Sequence, residues 1–327
     1  MRDELLDVNR QRVAGVGLRQ FYRVVAPVRT IRSLLPAPEN TNFVSVGIGA
    51  GPAVFSPDGG SIAFVASTPD GRRLLWVRRL DSLSAQFLNG TDGASYPFWS
   101  PDGAFVGFFS DQKLKKVPAS GGAVVTLSDA PFPAGSAWSQ AGIVFAPNLQ
   151  GALLRIPDSG GSAVSATALA AERHERTHRW PFFLPDGRRF LYLSNEEGPP
   201  SRWSIRVGCL DSTASRFVLE TRSNAVYHDG YLLFVRKGIL LAQPFDLETV
   251  KLTGEGVPLA EQVLDDAIMA RSVFSVSADG TLVYQTGGTV GGSRMIWLNR
   301  SGSEVSALGN LRHTHGRASH PTESASP

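Results

Sequence analysis

Short apolar runs of four or five residues recur along the chain, and each follows the same kind of turn. Phe55-Ser56-Pro57-Asp58-Gly59 precedes Ile62-Ala63-Phe64-Val65-Ala66, and Trp99-Ser100-Pro101-Asp102-Gly103 precedes Phe105-Val106-Gly107-Phe108-Phe109. Phe183-Leu184-Pro185-Asp186-Gly187 likewise precedes Phe190-Leu191-Tyr192-Leu193. Runs of this length, rich in β-branched and aromatic residues and bounded by turns, predict β-strands buried between neighbouring sheets.

Degenerate copies of the same turn continue the series. They read Trp138-Ser139-Gln140-Ala141-Gly142, Tyr227-His228-Asp229-Gly230 and Val276-Ser277-Ala278-Asp279-Gly280. Successive turn positions 58, 102, 141, 186, 229 and 279 are 44, 39, 45, 43 and 50 residues apart. A period near the ~40–45 residues of WD-type repeats predicts one four-stranded sheet per repeat. Because one such sheet cannot bury both of its faces alone, the repeats should stack in a ring.

The predicted fold is therefore all-β. It is a β-propeller of about six four-stranded antiparallel blades, with truncation or incomplete closure of the ring left open. Residues 1–30 stand outside the repeat pattern and are expected to be a frayed or partly helical extension. Residues 31–309 hold the repeats, and residues 310–327 are expected to be a disordered tail.

The recurring turn has a chemical reason for each of its residues. Serine bonds to the backbone ahead of it, and proline presets the φ angle of the second position. Aspartate tolerates the third position, and glycine closes the turn where φ can be positive. The four residues together predict a tight hairpin between two strands of one blade.

Charge argues against one class of partner. The formal net charge is +3, but residues 1–32 alone contribute +4, from seven arginines against three acidic residues. With residues 311–327 also set aside, the middle of the chain holds 23 basic and 25 acidic residues, a net charge of −2. A segment with this net charge has no excess of positive charge to attract a phosphate backbone, so nucleic acid is not an expected partner.

Targeting signals are also missing from the sequence as written. No apolar run approaches the roughly 18 uninterrupted residues that a membrane helix needs. Arginines interrupt residues 1–28, which lack the apolar stretch of a signal peptide. The single cysteine, Cys209, excludes an internal disulfide. We therefore expect a cytoplasmic protein with no membrane segment.

Two further segments accompany the turns. Leu35-Pro36-Ala37-Pro38-Glu39-Asn40-Thr41 leads into the first repeat, and His178-Arg179-Trp180-Pro181-Phe182 leads into the turn at Asp186. With these segments, residues 30–309 resemble TolB-like and WD40-like propeller repeats. The resemblance is greatest to the propeller that follows the kinase domain and membrane helix of bacterial serine/threonine protein kinases. It implies a sensory or scaffolding domain that binds a protein, peptide or envelope component and uses no cofactor.

The sequence lacks the motifs of the enzymes that such a chain could resemble. It contains no glycine-rich loop followed by a strand lysine, no His-Arg-Asp loop and no Asp-Phe-Gly. No helix is predicted after Gly47-x-Gly49-x-Gly51, and its third glycine comes too early for a dinucleotide site. A hydrolase borne by the propeller would need Gly-x-Ser-x-Gly, which does not occur. The expected protein is therefore not an enzyme.

One histidine pair could suggest a metal site. His174 and His178 have a spacing that would bring two imidazoles together on a helix. They lie just before a predicted inner strand, however, and have no third ligand nearby. We therefore expect no metal.

If the ring binds a ligand, side chains at the starts of the innermost strands should converge on the mouth of its channel. The candidate binding residues at those places are Tyr96, His178, Arg179 and Tyr227. His178 and Arg179 are the stronger candidates, because a charge beside an inner strand needs a partner. Three tryptophans are interpreted instead as packing residues between blades: Trp99, Trp138 and Trp180.

Three functions remain open at this stage. The chain could be a free-standing binding propeller or a truncated fragment of a membrane-anchored kinase whose propeller is the sensor. In the second case the propeller would be extracytoplasmic. A propeller-borne hydrolase is the third, and it lacks a nucleophile motif.

We expect the reading frame of the gene to have slipped between about residues 309 and 313. The period places a seventh turn near residue 322, where the chain instead reads as a polar tail. Read from the third base of each codon, the codons for Ser319 to Pro327 can spell Ser-Pro-Asp-Gly-Lys-Arg-Val-Ala. Sequencing the gene tests this expectation: the shifted frame should continue into further turns, and codons that cannot give this reading contradict the slip.

Overall fold

The computed structural model describes residues 32–287 in full, and the backbone of two further strands, Met295–Leu298 and Glu304–Leu308. All strands belong to the compact unit that begins at Ala37. The expected N-terminal extension, residues 1–30, and the expected tail, residues 310–327, lie outside the described residues.

Five antiparallel sheets of four or five strands, blades 1 to 5, follow one another along the chain. Blade 1 consists of β1 (Asn42–Phe43), β2 (Val54–Phe55), β3 (Ser61–Ser67), β4 (Arg73–Arg79) and β5 (Gln86–Phe87). Blade 2 consists of β6 (Ser95–Trp99), β7 (Phe105–Ser110), β8 (Lys113–Pro118) and β9 (Val125–Asp129). Blade 3 consists of β10 (Ser136–Ser139), β11 (Gly142–Phe145), β12 (Leu154–Ile156) and β13 (Val164–Ser165).

The remaining strands form two more blades and three short hairpins. Blade 4 consists of β14 (Glu175–Phe183), β15 (Arg189–Glu196), β16 (Arg202–Cys209) and β17 (Ser212–Glu220). Blade 5 consists of β18 (Ala225–His228), β19 (Tyr231–Arg236), β20 (Ile239–Asp246), β21 (Lys251–Leu252) and β22 (Val257–Ala260). The two-stranded sheets pair β23 (Asp265–Asp266) with β24 (Arg271–Ser272), β25 (Phe274–Val276) with β26 (Leu282–Tyr284), and β27 (Met295–Leu298) with β28 (Glu304–Leu308).

The prediction of an all-β propeller is confirmed. Within each of blades 2 to 4 the strands pair in chain order, and every named strand pair is antiparallel. One 3-10 helix of three residues, Ala171–Arg173, is the only helix among the described residues. Five blades are complete, and the sixth repeat contributes the two-stranded sheet of β25 and β26.

The second strand of each blade supplies the core. β3, β7 and β15 are buried over most of their length, as their uninterrupted apolar runs predict. Phe64, Phe108 and Tyr192 occupy the same place, eight residues after the start of their turns, and all three are fully buried. Neighbouring blades therefore pack against each other through the faces of these strands.

The turns have the geometry that their residues predict. Two hydrogen bonds join Ser100 to Phe105. The Ser100 N–H donates to the Phe105 carbonyl at 2.9 Å, and the Phe105 N–H donates to Ser100 Oγ at 2.9 Å. Ser100 Oγ also donates to Asp102 Oδ1 at 2.6 Å, and Gly103 has a φ of 70°. The turns at Ser56 and Ser277 repeat these contacts.

The first strands of the repeats form a continuous circle around the axis. β6 contacts β2 and β10, and β14 contacts β10 and β18. β25 lies against both β18 and β2, so the last repeat meets the first. The Phe55 N–H donates to Ser275 Oγ at 3.4 Å across this junction, and the Gly47 N–H donates to Asp266 Oδ2 at 2.6 Å.

The substitution Ser100→Ala should lower the free energy of unfolding by about 1–2 kcal/mol, because it leaves the partly buried Phe105 N–H without its partner. Urea unfolding followed by circular dichroism measures this loss. Ser162→Ala, on an exposed loop of blade 3, is the control and should have no measurable effect. Equal stability of both variants would contradict the importance of the turn hydroxyl.

Candidate functional site

A cavity of about 410 Å³ runs along the axis of the ring, lined by the first strands of all six repeats. Ten aromatic side chains line it, among them Trp99, Trp138, Phe183 and Tyr227. Its volume lies within the range of small-ligand pockets, roughly 300–1,000 Å³. The cavity is therefore large enough to hold a ligand that is mostly apolar.

The two ends of the cavity differ in exposure. Toward one end, Tyr96 of β6 and Trp180 of β14, each four residues before the start of its turn, are 4% and 6% exposed. At the ends of the strands, Trp99, Trp138 and Phe183 are only half-buried. We call these the narrow end and the open end. A ligand would enter through the open end, beside the turns.

Two bulges aim side chains at the axis of the narrow end. The pairing of β6 with β7 and of β14 with β15 shifts register at Tyr96 and Trp180. Their φ angles of 46° and 52° lie in the left-handed region, which is strained for bulky residues. Each is followed by a proline, Pro97 or Pro181, which has no N–H to give to the ladder.

Blade 3 makes room for this arrangement. Gly135 occupies the position that corresponds to Tyr96 and Trp180, and its φ is 92°. A Cβ atom at Gly135 would lie 2.4 Å from the ring of Trp180. Only glycine therefore leaves space for the indole to cross the axis.

An arginine from the last repeat completes the narrow end. Arg271 Cζ lies 4.9 Å from the ring centroid of Trp180 and 5.7 Å from that of Tyr96, and the two rings meet edge to face at 5.1 Å. The Tyr96 hydroxyl donates to the Gly47 carbonyl at 3.0 Å, and Trp180 Nε1 donates to the Met269 carbonyl at 3.0 Å. Backbone acceptors thus hold both rings in place.

Burial changes the acid–base properties of this end. It lowers the pKa of Arg271 to about 10 and raises the pKa of Tyr96 to about 12. At neutral pH the arginine remains cationic and the tyrosine remains neutral. Among the described residues that line the cavity there is no aspartate or glutamate. The cavity therefore carries one fixed positive charge within an aromatic wall.

The four residues predicted from the sequence fall in two different environments. Tyr96 and Tyr227 line the cavity, Tyr96 at its narrow end and Tyr227 toward its open end. His178 and Arg179 are not among the lining residues. Trp180, interpreted above as a packing residue, both packs against Tyr96 and lines the cavity.

His178 belongs to a polar network inside blade 4, where it is 0% exposed. Its Nε2 lies 3.3 Å from Glu175 Oε2, which also accepts from the Ala170 N–H at 2.7 Å. The other carboxylate oxygen of Glu175 accepts from Ser194 Oγ at 3.0 Å and from Arg173 at 2.9 Å. This buried carboxylate is fully hydrogen-bonded, which offsets the cost of burying its charge.

The same network resembles a catalytic relay in its order of groups. Thr167 Oγ1 lies 2.8 Å from His178 Nδ1, so a hydroxyl, an imidazole and the Glu175 carboxylate follow one another. All three residues are buried, however, and the Leu153 N–H donates to the hydroxyl at 2.9 Å. A substrate has no access to Thr167, so the network stabilises blade 4.

Arg179 is held by backbone and side-chain oxygens around it. Its guanidinium donates to the carbonyls of Leu149 at 2.8 Å and Met269 at 3.4 Å, and to Thr177 Oγ1 at 3.0 Å. Its Cζ also lies 5.3 Å from the ring centroid of Trp203. Burial lowers the pKa of Arg179, and its partners sit on three different segments, so it ties loops together.

Sequence reasoning did not single out Arg271. It precedes Ser277 by six residues, the same separation that His178 has from Leu184 at the start of its turn. That shared offset was the available signal.

Neither a cluster of metal-binding side chains nor a membrane-spanning helix occurs in the part of the chain that the structure describes. No group of three or more metal-binding side chains occurs there; His174 is exposed, whereas His178 is buried. Over the same residues, no helix is long and apolar enough to span a membrane.

The ring of sheets and its axial cavity define the fold as a β-propeller. Solved structures agree with this assignment. A putative TolB from Agrobacterium tumefaciens is 17% identical, with a TM-score of 0.50 over 72% of this chain and 90% of that chain. At this identity the similarity shows the fold alone.

Other solved propellers match less closely in shape. TolB from Acinetobacter baumannii is 13% identical, with a TM-score of 0.49 over 64% of this chain; the match spans 54% of that TolB. The Cps50 (Swd1) β-propeller domain of Myceliophteria thermophila is 14% identical, with a TM-score of 0.47 over 82% of this chain and 88% of that domain. No protein-family model matches the sequence, and no curated protein matches it.

The stability of the protein should depend on the charge of Glu175. Burial alone raises the pKa of Glu175, but hydrogen bonds from His178, the Ala170 N–H and Arg173 outweigh it and hold this pKa well below its usual value. The ionised carboxylate thus contributes stability that is present above the unfolded-state pKa of about 4.3 and is lost as pH falls below it.

Glu175→Gln tests this dependence. At pH 6 the variant should lose about 3 kcal/mol of unfolding free energy, and its stability should then fall less than that of the wild type between pH 5 and pH 3. Urea titrations at each pH measure both effects. Glu172→Gln, at an exposed neighbour, should behave like the wild type. Parallel pH profiles for wild type and Glu175→Gln would argue against the network.

Proposed function

We propose that this protein is a non-catalytic binding propeller that takes up an extended peptide segment through the open end of its axial cavity. The observation that carries this proposal is the aromatic wall of the cavity. Trp99, Trp138 and Phe183 leave part of their surface uncovered beside a cavity of about 410 Å³. Aromatic side chains of this kind dominate the binding energy of peptide and protein interfaces.

The polar groups of the wall favour a peptide over a hydrocarbon ligand. Asn224, His228 and Ser275 line the cavity together with the aromatic rings. The oxygens of Asn224 and Ser275 already accept from backbone N–H groups, but the Asn224 amide nitrogen and the Ser275 hydroxyl can donate to the C=O groups of an entering backbone. A ring nitrogen of His228 can bond to the polar groups of the same backbone, which would otherwise lose their water without compensation. A few placed polar groups in an apolar wall are what orients a ligand in such pockets.

The same wall supports binding rather than catalysis. A reaction would need a nucleophile with its base, or a pair of acid–base groups, facing the ligand. The one hydroxyl–imidazole–carboxylate arrangement found in the described residues, Thr167 with His178 and Glu175, is buried away from the cavity. The hydrolase alternative therefore has no observation in its favour.

A sensory role in a membrane-anchored serine/threonine kinase is the finer form of this proposal. It rests on the sequence resemblance of residues 35–41 and 178–187, and it would make the occupant an envelope peptide or protein. Arg179 and Trp180, in the second of these segments, build the narrow end or the loops behind it. The proposed binding site is the same in either setting.

Filling the cavity should abolish binding. Ala137 lines the cavity and is half-buried, so Ala137→Phe places a ring in the path of the ligand. A library of randomised tetrapeptides, passed over immobilised protein and identified by mass spectrometry, should yield retained sequences on the wild type. Retention on Ala137→Phe should be at least about tenfold lower.

The matched control is Ala123→Phe, which adds the same ring on an exposed loop of blade 2. It should retain the same peptides as the wild type. Retention on Ala137→Phe equal to that on the wild type, or no retained peptide on any form of the protein, would overturn the proposal.

A further inference from the structure

The guanidinium of Arg271 lacks the partners that buried cations normally have. Its Nη1 is buried and has no hydrogen-bond partner among the described residues. Within the same part of the chain, no carboxylate forms an ion pair with it within 4.0 Å. A buried charge without a hydrogen-bonded counter-ion costs free energy. The unpaired guanidinium of Arg271 therefore indicates that a ligand supplies the missing partner.

Stacking does not take the place of that partner. Arg271 Cζ lies over the rings of Trp180 and Tyr96, 4.9 and 5.7 Å from their centroids, and a ring face attracts the charge without supplying an oxygen acceptor to each N–H. The N–H bonds of a guanidinium point outward in its plane. The two aromatic rings therefore offset part of the cost of the charge and leave Nη1 without a hydrogen-bond acceptor among the described residues.

The acidic residue that affects the pKa of Arg271, Asp266, is already engaged in other hydrogen bonds. Asp266 exerts an electrostatic effect on the arginine. Its Oδ1, however, accepts from the N–H groups of Ile268 and Met269, both at 3.1 Å, and its Oδ2 accepts from the Gly47 N–H at 2.6 Å. Asp266 thus holds the loop of residues 266–269 and the junction of the ring, and leaves Arg271 unpaired.

We propose that Arg271 binds the C-terminal carboxylate of a peptide that enters the axial cavity end-on. This inference rests on the proposed function and specifies which end of the peptide is recognised. A carboxylate presents two oxygens that match the two-pronged edge of a guanidinium. It also brings one negative charge to a cavity whose described wall has one fixed positive charge.

The shape of the cavity favours a chain terminus over a side chain. Arg271 stacks at the narrow end, where Tyr96 and Trp180 are almost completely buried. An internal segment would have to enter and leave through the same open end to bring an acidic side chain there. A terminus reaches it by entering once, with the preceding residues against the aromatic wall. A phosphate would bring a second negative charge that no described lining residue compensates.

The test uses one randomised tetrapeptide library made in three forms. The first has free C-terminal carboxylates, the second has C-terminal amides, and the third has amides with glutamate fixed at the last position. On immobilised full-length wild type, the free acids should be retained at least about tenfold more strongly than either amide form. On Arg271→Gln this preference should disappear, because the neutral amide cannot form the charged pair.

A second variant and a control protect the test against misfolding. Arg271→Lys keeps the charge but loses the planar fork, so its preference for free acids should lie between those of wild type and Arg271→Gln. Arg155→Gln, at an exposed arginine of β12 that bonds to the Leu210 carbonyl, should keep the full preference. Circular dichroism establishes that each variant is folded, and Arg271→Lys alone decides the matter if Arg271→Gln is not.

The possible failures are distinguishable. Equal retention of free acids and simple amides overturns the role of Arg271 and leaves peptide binding in the cavity intact. Retention of the glutamate amides at the level of the free acids overturns the recognition of a terminus. An unchanged preference on Arg271→Gln assigns the carboxylate to another residue and overturns the inference. No retention of any form overturns both this inference and the proposed function.

Discussion

In blades 1 and 2 and in the last repeat, the hydrogen bonds of a single serine hydroxyl hold together the first two strands. At Ser100 this hydroxyl accepts from one strand and donates to the turn aspartate, so the hairpin has one register. That register places Phe108 in the core on one strand and Phe98 beside the axis on the other. Since side chains alternate along a strand, a slip of one residue would exchange core and surface. The packing of the blades and the lining of the cavity both depend on this small contact.

The elements that could be predicted are those whose structure is determined by residues close together in sequence. Turns that contain proline, aspartate and glycine determine their own geometry, so the strands that follow Asp58, Asp102 and Asp186 could be located from sequence. The last repeat could be located by its turn, but the segment that precedes this turn could not be described strand by strand. Its spacing of 50 residues accommodates β22 and the hairpin of β23 with β24, which carry no turn signal of their own. Contacts formed between distant segments decide those elements.

The candidate site shows the same division. Tyr96 and Tyr227 could be placed at the cavity because both lie on inner strands. The sequence argument that a polar group beside an inner strand needs a partner points to His178, whose partners, Glu175 and Thr167, lie inside the blade and not in the cavity. The bulge in β14 determines which of its side chains face the cavity. A bulge depends on how two strands pair, and the sequence of one strand does not determine that pairing. Arg271 lies beside the aromatic side chains of Tyr96 and Trp180, which belong to other blades. The local sequence around Arg271 does not predict these contacts, because closure of the propeller creates them.

The junction between the last and first repeats gives the molecule a property that open repeat arrays lack. In an open array each unit contacts only its neighbours, so folding can begin anywhere and stop anywhere. Here the bonds from Gly47 to Asp266 and from Phe55 to Ser275 join residues 219 and 220 positions apart. Closing so long a loop lowers the entropy of the chain before the stabilising contacts between its ends have formed. Topologies with many such long-range contacts fold slowly. During synthesis, one face of blade 1 therefore stays exposed to solvent until the final repeat has left the ribosome and can pack against it. Closure of the ring is thus a late step in the folding of the molecule.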